Sequence, residues 1–390
     1  MRAMSECFSN NVLAWKIFGI WSGPSPNKYY KYFSFMFLNL TLIVFNLFLV
    51  LNLFYTYNEI ENLLQEVIYY FTEITVAAKV SMILLWKKEI ITAFAILNSD
   101  EFKGTDKMSF EIVQKDVSTY KKIYKLYFYF CNLSYILAIV PGLVNFMLGH
   151  HSELPISRYN FLSDTIREKY FVFLYLYQSF CIYGHMIYNL SIDSFITGLI
   201  FLTITQLKVL NYKLKRFSFK TTHQVKHTNE LKENVKVSNL NHCLRHFDVI
   251  LRFQSIVQEI TSFTLFVVFG IASATICVTL CGFNLDSSLN SLLFLFTYLA
   301  NLVSIIFVPS WLGTQLIYES QELVFAAYSS DWINSCKEFK RSMIIFMERT
   351  KTPLVVVGMK MFLLSLDTFV TIMKSAYSLF TLIRRFRNMK

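Results

Sequence analysis

The stretch YFVFLYLYQSFCIYGHMIYNLSIDSFITGLIFLTITQL (170–207) carries a single charged side chain, Asp193. At about 1.5 Å per residue, a helix of this length extends well beyond the roughly 30 Å hydrocarbon core of a bilayer. We therefore expect a membrane-spanning helix whose last turns continue into the cytoplasm.

The composition of the whole chain also points to a membrane. Of its 390 residues, 54% are hydrophobic and only 16% are charged, whereas about 25% of the residues in a soluble domain are charged. The apolar runs predict an all-α fold with seven transmembrane helices in one membrane domain, 1–390. The predicted spans are 33–54, 67–86, 126–148, 170–207, 260–284, 288–316 and 361–384. The segments 200–260 and 317–358 are predicted to form a cytoplasmic anchor.

Positive charge is distributed unevenly between the loops. Four segments (1–32, 87–125, 208–252 and 317–360) hold 28 Lys and Arg residues, whereas the loops and tail on the other side hold 7. Because loops rich in Lys and Arg stay in the cytoplasm, the N terminus is predicted to be cytoplasmic and the C terminus extracellular. This orientation is opposite to that of a G-protein-coupled receptor. The net charge of +11 follows mainly from the same asymmetry and requires no nucleic-acid partner.

A few spans contain charged residues, which are costly in a membrane and usually functional. Glu73 and Asp193 are expected to face the interior of the helix bundle, whereas Lys79 is expected to reach the inner interface.

The last span carries a regular polar pattern. Its polar residues recur every three or four positions and so form one stripe on a helix: Asp367, Thr371, Lys374, Ser378, Thr381 and Arg385. A polar stripe on a spanning helix faces protein or water rather than lipid. It therefore either lines a pore between several copies or forms a buried seam within one subunit.

The cytoplasmic segment 317–360 contains an amphipathic pattern. Its apolar positions Phe339, Met343, Phe346 and Met347 predict a helix that Pro353 ends. This helix either lies on the inner leaflet or packs in a bundle with the ends of the preceding spans. In the second case, aromatic residues would supply a core or a subunit contact.

The sequence contains no motif that predicts an enzyme, a metal site or a cofactor. The outer halves of the second, third, fourth and sixth spans are rich in Phe, Tyr and Met. This composition fits ordinary helix packing or a pocket for a small apolar ligand.

The C-terminal third resembles the insect odorant receptor family. In KSAYSLFTLI (374–383), five residues are similar to the family's end motif Ser-Tyr-Ser-x-Phe-Thr-Leu-Leu: Tyr377, Ser378, Phe380, Thr381 and Leu382. Ala376 stands where Ser is common. The Gln that gustatory receptors and the shared odorant co-receptor keep near this end is absent, and Ile383 and Arg384 follow instead.

The resemblance implies an odorant-specific tuning subunit. Its implied partners are co-receptor subunits, membrane lipid and a small volatile odorant. Together the subunits would form a tetrameric, ligand-gated, non-selective cation channel in the plasma membrane of olfactory dendrites. The alternatives are a gustatory-receptor-like channel and a seven-helix receptor that signals through a G protein.

The resemblance also implies where the functional residues lie. It places the ligand among the outer halves of the second, third, fourth and sixth spans, where depth and helical phase select Val67, Tyr70, Phe71, Ile74, Ile139, Gly142, Phe146, Tyr175, Gln178, Ile182, Phe294, Thr297 and Tyr298. Alignment of the end motif places the gate around Tyr377, Phe380, Thr381, Ile383 and Arg384. The implied subunit contact includes Tyr328, Trp332 and Phe339.

Overall fold

The computed structural model is almost entirely helical. It describes residues 4–23, 28–56, 60–104, 106–149, 154–219, 229–283, 289–330 and 332–388. In chain order, the elements are a 3₁₀ helix Met4–Phe8, α1 (Ser9–Ile17), α2 (Lys28–Leu38), a π-helical turn Asn39–Val44, α3 (Phe45–Thr56), α4 (Ile60–Leu85), α5 (Lys87–Leu97), α6 (Lys107–Met147), α7 (Asp164–Lys169), α8 (Phe171–Phe219), α9 (Asn229–Gly282), α10 (Leu289–Tyr328), α11 (Lys337–Thr350), β1 (Val357–Gly358), β2 (Phe362–Leu363) and α12 (Leu366–Asn388).

Six helical segments among the described residues are long and apolar enough to cross a membrane: Lys28–Tyr55, Glu66–Leu85, Lys107–Met147, Phe171–Arg216, Glu233–Gly282 and Leu289–Tyr328. Over the described residues, the first six predicted spans extend beyond these helices by no more than two residues at either end. The last helix, α12, is not among them, because Asp367, Lys374 and the arginines near its end make it too polar.

The central element is α8, which is about 70 Å long at about 1.5 Å per residue. It packs against α1, α4, α6, α9 and α10. A helix that is apolar on all sides is expected to be covered by others, and most of α8 is buried accordingly.

The predicted amphipathic helix in the cytoplasmic segment is present as α11. Its apolar face, Phe339, Met343 and Phe346, is buried against α9 and α10 of the same chain. The rings of Phe346 and Phe247 lie 5.3 Å apart. Of the two alternatives for this segment, the structure therefore supports the helical bundle.

A short antiparallel hairpin separates α11 from α12 and corrects the predicted start of the last span. β1 pairs with β2, and the turn residues Met359 and Lys360 have positive φ angles. The amide of Gln258 bonds both backbone polar groups of Val357, at 2.7 and 2.8 Å. These bonds satisfy extended backbone, so α12 begins at Leu366 rather than at 361.

Candidate functional site

A cavity of about 160 Å³ lies between α4, α6, α8, α9 and α10. Most of the wall surface is apolar, but the lining also includes eight residues with hydroxyl groups, two asparagines, His185 and Lys79. Pro155 and Ile156, from the segment between α6 and α7, contribute to the same wall. A concave apolar site with few polar groups is the usual form of a small-molecule pocket.

Five of the predicted ligand-binding residues lie on this wall: Phe71, Ile139, Ile182, Phe294 and Tyr298. Tyr298 also provides a polar point, since its hydroxyl shares a 2.5 Å hydrogen bond with the hydroxyl of Thr72. The wall can therefore bury hydrocarbon, and the Thr72–Tyr298 pair is one of the polar points that can orient a ligand.

Three further predicted ligand-binding residues do not line the cavity. They contact residues of its wall or allow the helices around it to pack closely. Thr297 donates a 3.2 Å hydrogen bond to the hydroxyl of Ser134, which lines the cavity. Tyr175 donates to the backbone carbonyl of Ile139. A side chain at Gly142 would place its Cβ only 2.8 Å from the Tyr175 hydroxyl, so this glycine lets α6 and α8 approach.

Gln178 has a different role from the predicted ligand contact. It is fully buried, its Oε1 accepts from the backbone N–H of Ile156 at 3.1 Å, and its Nε2 donates to the carbonyl of Ser157 at 2.8 Å. Both ends of the amide are therefore used by backbone. Gln178 fixes the outer segment against α8 and so places Ile156 on the cavity wall.

Four predicted ligand-binding residues lie outside the cavity wall. Val67 packs in a cluster with Ile68 and Leu295. The hydroxyl of Tyr70 donates to the Leu49 carbonyl and to Glu66. The remaining two residues point outward.

Ile74 is 49% exposed, and Phe146 is 41% exposed and stacks on Phe171 at 4.8 Å. Their assignment as ligand contacts is corrected, because helical phase was estimated without knowing how the helices are rotated in the bundle.

A second concavity of about 400 Å³ lies next to the first, on the side of the predicted outer loop. The two share five wall residues: Tyr69, Ala138, Pro155, Ile156 and Phe294. These residues line both the cavity and the second concavity, which we call the outer vestibule after the predicted outer loop.

Buried charged side chains lie on the cavity wall and next to it, at the end away from the outer vestibule. The ammonium of Lys79 is 2.8 Å from both Asp193 and the Asn189 side-chain oxygen, and Lys79 is only 1% exposed. The expectation that Lys79 reaches the inner interface is therefore wrong. Its charge is compensated inside the bundle, as buried charges require.

Glu73 faces the interior, as expected. It lies 2.7 Å from His185 Nδ1 and accepts a 3.1 Å hydrogen bond from Asn46. The other ring nitrogen of His185 lies 3.0 Å from the backbone carbonyl of Thr41. This network joins the π-helical turn, α4 and α8 beside the cavity.

The polar stripe of α12 faces away from the rest of the chain. Asp367, Lys374 and Ser378 are exposed. Within the described part of the chain, the hydroxyls of Thr371 and Thr381 bond to carbonyls of α12 itself. The alternative of a buried seam within one subunit is therefore wrong.

The opposite face of α12 packs on α9 and α10. Ala376 is fully buried, and the rings of Phe369 and Phe307 lie 5.3 Å apart. Among the predicted gate residues, Tyr377, Ile383 and Arg384 are exposed, whereas Phe380 and Thr381 are half-buried.

The three predicted subunit-contact residues have different environments. Tyr328 is 69% exposed at the end of α10, and Trp332 is half-buried. Phe339 is only 1% exposed within the single chain. We correct its assignment from subunit contact to intramolecular core, because its side chain is already covered by α9 and α10.

Two parts of the wall were missed in the sequence. One is a face of α9 that includes Val268, Ala272 and Thr275, and the other is the outer segment with Pro155 and Ile156. The sequence did contain a signal for the outer segment, since the longest predicted outer loop contains the apolar run Leu154–Pro155–Ile156. No comparable signal marks α9, because its apolar residues look alike on all faces.

The fold is that of an almost entirely helical, multi-pass membrane protein, and its cavity has the form of a pocket for a small molecule. The sequence profile described as 7tm Odorant receptor matches residues 59–377. The chain belongs to this family of odorant receptors, which confirms the resemblance and the expectation that it is not an enzyme.

Individual relatives agree with this assignment. Odorant receptor 2a of Drosophila melanogaster is 25% identical to this chain over 219 residues. The match covers 55% of each chain, so it spans about half of the length of this relative. Odorant receptor 46a, isoform B, of the same species is 21% identical over 97% of this chain and 98% of that one. The insect olfactory receptor OR5 of Machilis hrabei, solved in complex with eugenol, has the same fold, with a TM-score of 0.80 at 14% identity over 98% of both chains.

Proposed function

We propose that the chain is an odorant-specific subunit of a ligand-gated, non-selective cation channel, assembled as a heterotetramer with odorant co-receptor subunits. The observation that carries this proposal is the polar stripe of α12, which the rest of the chain leaves uncovered. Lipid cannot satisfy Asp367, Lys374 and Ser378. A neighbouring subunit or a water-filled pore can, and several copies around an axis supply both.

The cavity supports the ligand part of the proposal. Most of its wall surface is apolar, and polar side chains such as the Thr72–Tyr298 hydroxyl pair lie between the apolar ones. A small volatile molecule with one hydrogen-bonding group fits this chemistry. The outer vestibule provides its route, past Pro155 and Ile156.

Channel opening requires that the ligand bind the open state more tightly than the closed state. α9 and α10 each contribute to the cavity wall and also contact α12. A ligand that moves α9 or α10 therefore also moves the surface on which α12 packs. The predicted gate residues Phe380 and Ile383 lie near the end of that helix, just before Arg384, and an apolar constriction of such residues closes a pore by excluding water.

The orientation with a cytoplasmic N terminus rests on the distribution of Lys and Arg. A receptor that signals through a G protein has its N terminus outside. Glycosylation acceptor sites added at the N terminus and at the C terminus distinguish the two orientations, since only an extracellular terminus is modified. Modification of the N terminus would overturn the proposed orientation.

The decisive test of function is current recording. Cells that express this chain together with an odorant co-receptor should show odorant-evoked cation currents across a panel of volatile molecules. Cells with the co-receptor alone should lack them, while both should respond to a direct co-receptor agonist. Identical odorant responses in both cell types would overturn the proposal.

A further inference from the structure

A basic groove lies beside the N-terminal 3₁₀ helix, where α6 approaches its predicted span. It has a volume of about 370 Å³, and its charged lining residues are Lys103, Lys121, Lys122, Lys125 and Glu6. Four ammonium groups thus share this groove with one carboxylate. We refer to it as the basic groove.

Three of the four lysines in the basic groove have no acidic partner. Lys103 is bonded to Asp100 at 2.7 Å. Within the described part of the chain, Lys121, Lys122 and Lys125 form no ion pair.

The nearest acid on the same helix does not compensate them. Asp116 points instead towards α8, where it accepts a 2.9 Å hydrogen bond from Thr205 and lies 3.9 Å from Lys208. A concave site lined by like charges attracts a counter-ion, so the basic groove fits an anion with several negative charges.

An apolar lane continues from the lysines along α6. Leu126, Tyr129 and Leu133 follow at intervals of three and four residues, so they share one side of the helix. All three are exposed, at 72%, 69% and 48%. A ligand that uses both features has an anionic head at Lys122 and Lys125 and a hydrocarbon tail on this lane, which is the chemistry of a phospholipid.

We propose that the basic groove binds the headgroup of a phosphoinositide in the inner leaflet. The predicted span of α6 begins at 126, directly after Lys125, so the lysines lie at headgroup depth. This placement rests on the proposed orientation, in which this end of α6 is cytoplasmic. Lysines clustered immediately cytoplasmic of a spanning helix are the usual recognition pattern for such lipids.

The number of unpaired lysines favours a polyphosphorylated headgroup over phosphatidylserine. Lysine binds phosphate as a point charge through its ammonium group. Phosphatidylserine has an ammonium group of its own, which would lie among three unpaired lysine ammonium groups. An inositol ring with several phosphate groups offers each lysine a separate oxygen anion.

The test measures lipid binding to the purified full-length chain in detergent. Thermal unfolding is followed while dioctanoyl phosphatidylinositol bisphosphate is titrated, since a ligand of the folded state raises the unfolding temperature. We expect each single variant, Lys122→Gln and Lys125→Gln, to weaken the apparent affinity roughly fivefold. The triple variant with Lys121→Gln should weaken it on the order of 100-fold.

A control with the same change in charge removes three exposed lysines outside the basic groove, in Lys88→Gln/Lys107→Gln/Lys337→Gln. It should bind like the parent chain. Equal losses in both triple variants would show that only net charge matters and would overturn the assignment. Because Lys122 and Lys125 are exposed, the single variants keep the test valid even if the triple variant folds poorly.

Two further ligands identify the source of the phosphate. Soluble inositol trisphosphate should bind much more weakly than the lipid, because it leaves the apolar lane unused. Equal affinity would make this a site for a soluble polyphosphate and would overturn the lipid assignment, as would equally tight binding of dioctanoyl phosphatidylserine. The readout involves neither odorant nor current, so its failure is distinguishable from failure of the proposed function.

Discussion

The Tyr298 hydroxyl is a polar group on the cavity wall, and it is bonded to the hydroxyl of Thr72. Tyr298→Phe removes this hydroxyl and keeps the ring. We expect the half-maximal odorant concentration to change about fivefold for ligands with a hydrogen-bonding group, since a hydrogen bond contributes about 1 kcal/mol. Pure hydrocarbons should be nearly unaffected. Concentration–response currents in cells with the co-receptor measure both.

Ile74 supplies the control for this prediction. It lies on α4 close to Thr72 but is 49% exposed. Ile74→Ala should leave the rank order of odorants unchanged. If Ile74→Ala altered the order and Tyr298→Phe did not, the ligand would have to bind elsewhere.

For the Lys79–Asp193 pair, removal of one charge should destabilise the protein more than removal of both charges. Lys79→Met leaves the Asp193 carboxylate without its cation inside the bundle, which costs about 3–5 kcal/mol. We expect little folded protein by size-exclusion chromatography. The double variant Lys79→Met/Asp193→Leu removes both charges and should recover most of it. A double variant that is as poorly folded as the single one would show that the pair does more than compensate charge.

At the scale of elements, α12 has one covered and one uncovered face. Single cysteines at Lys374 and Ser378 should react with a water-soluble thiol reagent, whereas a cysteine at Ala376, which is fully buried, should not. Cysteines at Phe380 and Ile383 should react faster with odorant present, because opening wets the gate. The measurement is the rate of current block.

Two outcomes of this scan would contradict the proposal. Fast reaction at Ala376 would mean that α12 does not pack on α9 and α10 as described. Equal rates with and without odorant at every position would mean that the gate is formed by co-receptor subunits alone.

The contact between α10 and the segment before α12 depends on Gly313. A Cβ there would lie 2.1 Å from the backbone carbonyl oxygen of Leu364. Gly313→Ala should therefore force these elements apart and destabilise the fold by about 1–3 kcal/mol. Thermal unfolding of the purified chain measures the loss.

Gly270 in α9 is the matched control, since a Cβ there meets nothing within 4 Å. Gly270→Ala should be neutral or stabilising, because alanine favours a helix by about 1 kcal/mol over glycine. The two substitutions are chemically identical, so similar unfolding temperatures would contradict the close packing at Gly313.

The sequence predicted the long apolar helices, because a bilayer imposes a length and composition that a single run of residues reveals. It predicted α11 for a similar reason, since Phe339, Met343 and Phe346 share one face. It did not predict the hairpin before α12, whose backbone is satisfied by Gln258, a residue 99 positions from Val357. Such a bond depends on tertiary packing and leaves no local pattern.

The candidate site was predicted less completely than the helices. Phe71 and Phe294 were placed on the wall, whereas Ile74 and Phe146 were not separated from them, because apolar residues on a membrane helix can face lipid or protein equally well. The role of Gln178 in holding the outer segment was also missed. Its partners are backbone groups, which any sequence supplies.

At the scale of the whole molecule, the uncovered surface of α10 is where we expect another subunit of the proposed channel to bind. Tyr318, Phe325 and Tyr328 are 57%, 66% and 69% exposed, and their spacing of seven and three places them on one face. They lie in and next to the predicted cytoplasmic anchor, where lipid cannot cover them. Aromatic residues on such a face are typical of the centre of a protein interface.

Phe325→Ala/Tyr328→Ala should therefore weaken co-purification with the co-receptor. Each truncation removes an aromatic contact of about 1–2 kcal/mol, so the loss should be tenfold or more when combined. The thermal stability of the isolated chain should not change, because both side chains are exposed in it.

Phe339→Ala is the contrasting variant. It should lower the free energy of unfolding of the single chain by about 3–5 kcal/mol, because a buried ring is lost. If the double variant assembled normally while Phe339→Ala impaired assembly without destabilising the chain, the interface would lie on α11 rather than on the exposed face of α10.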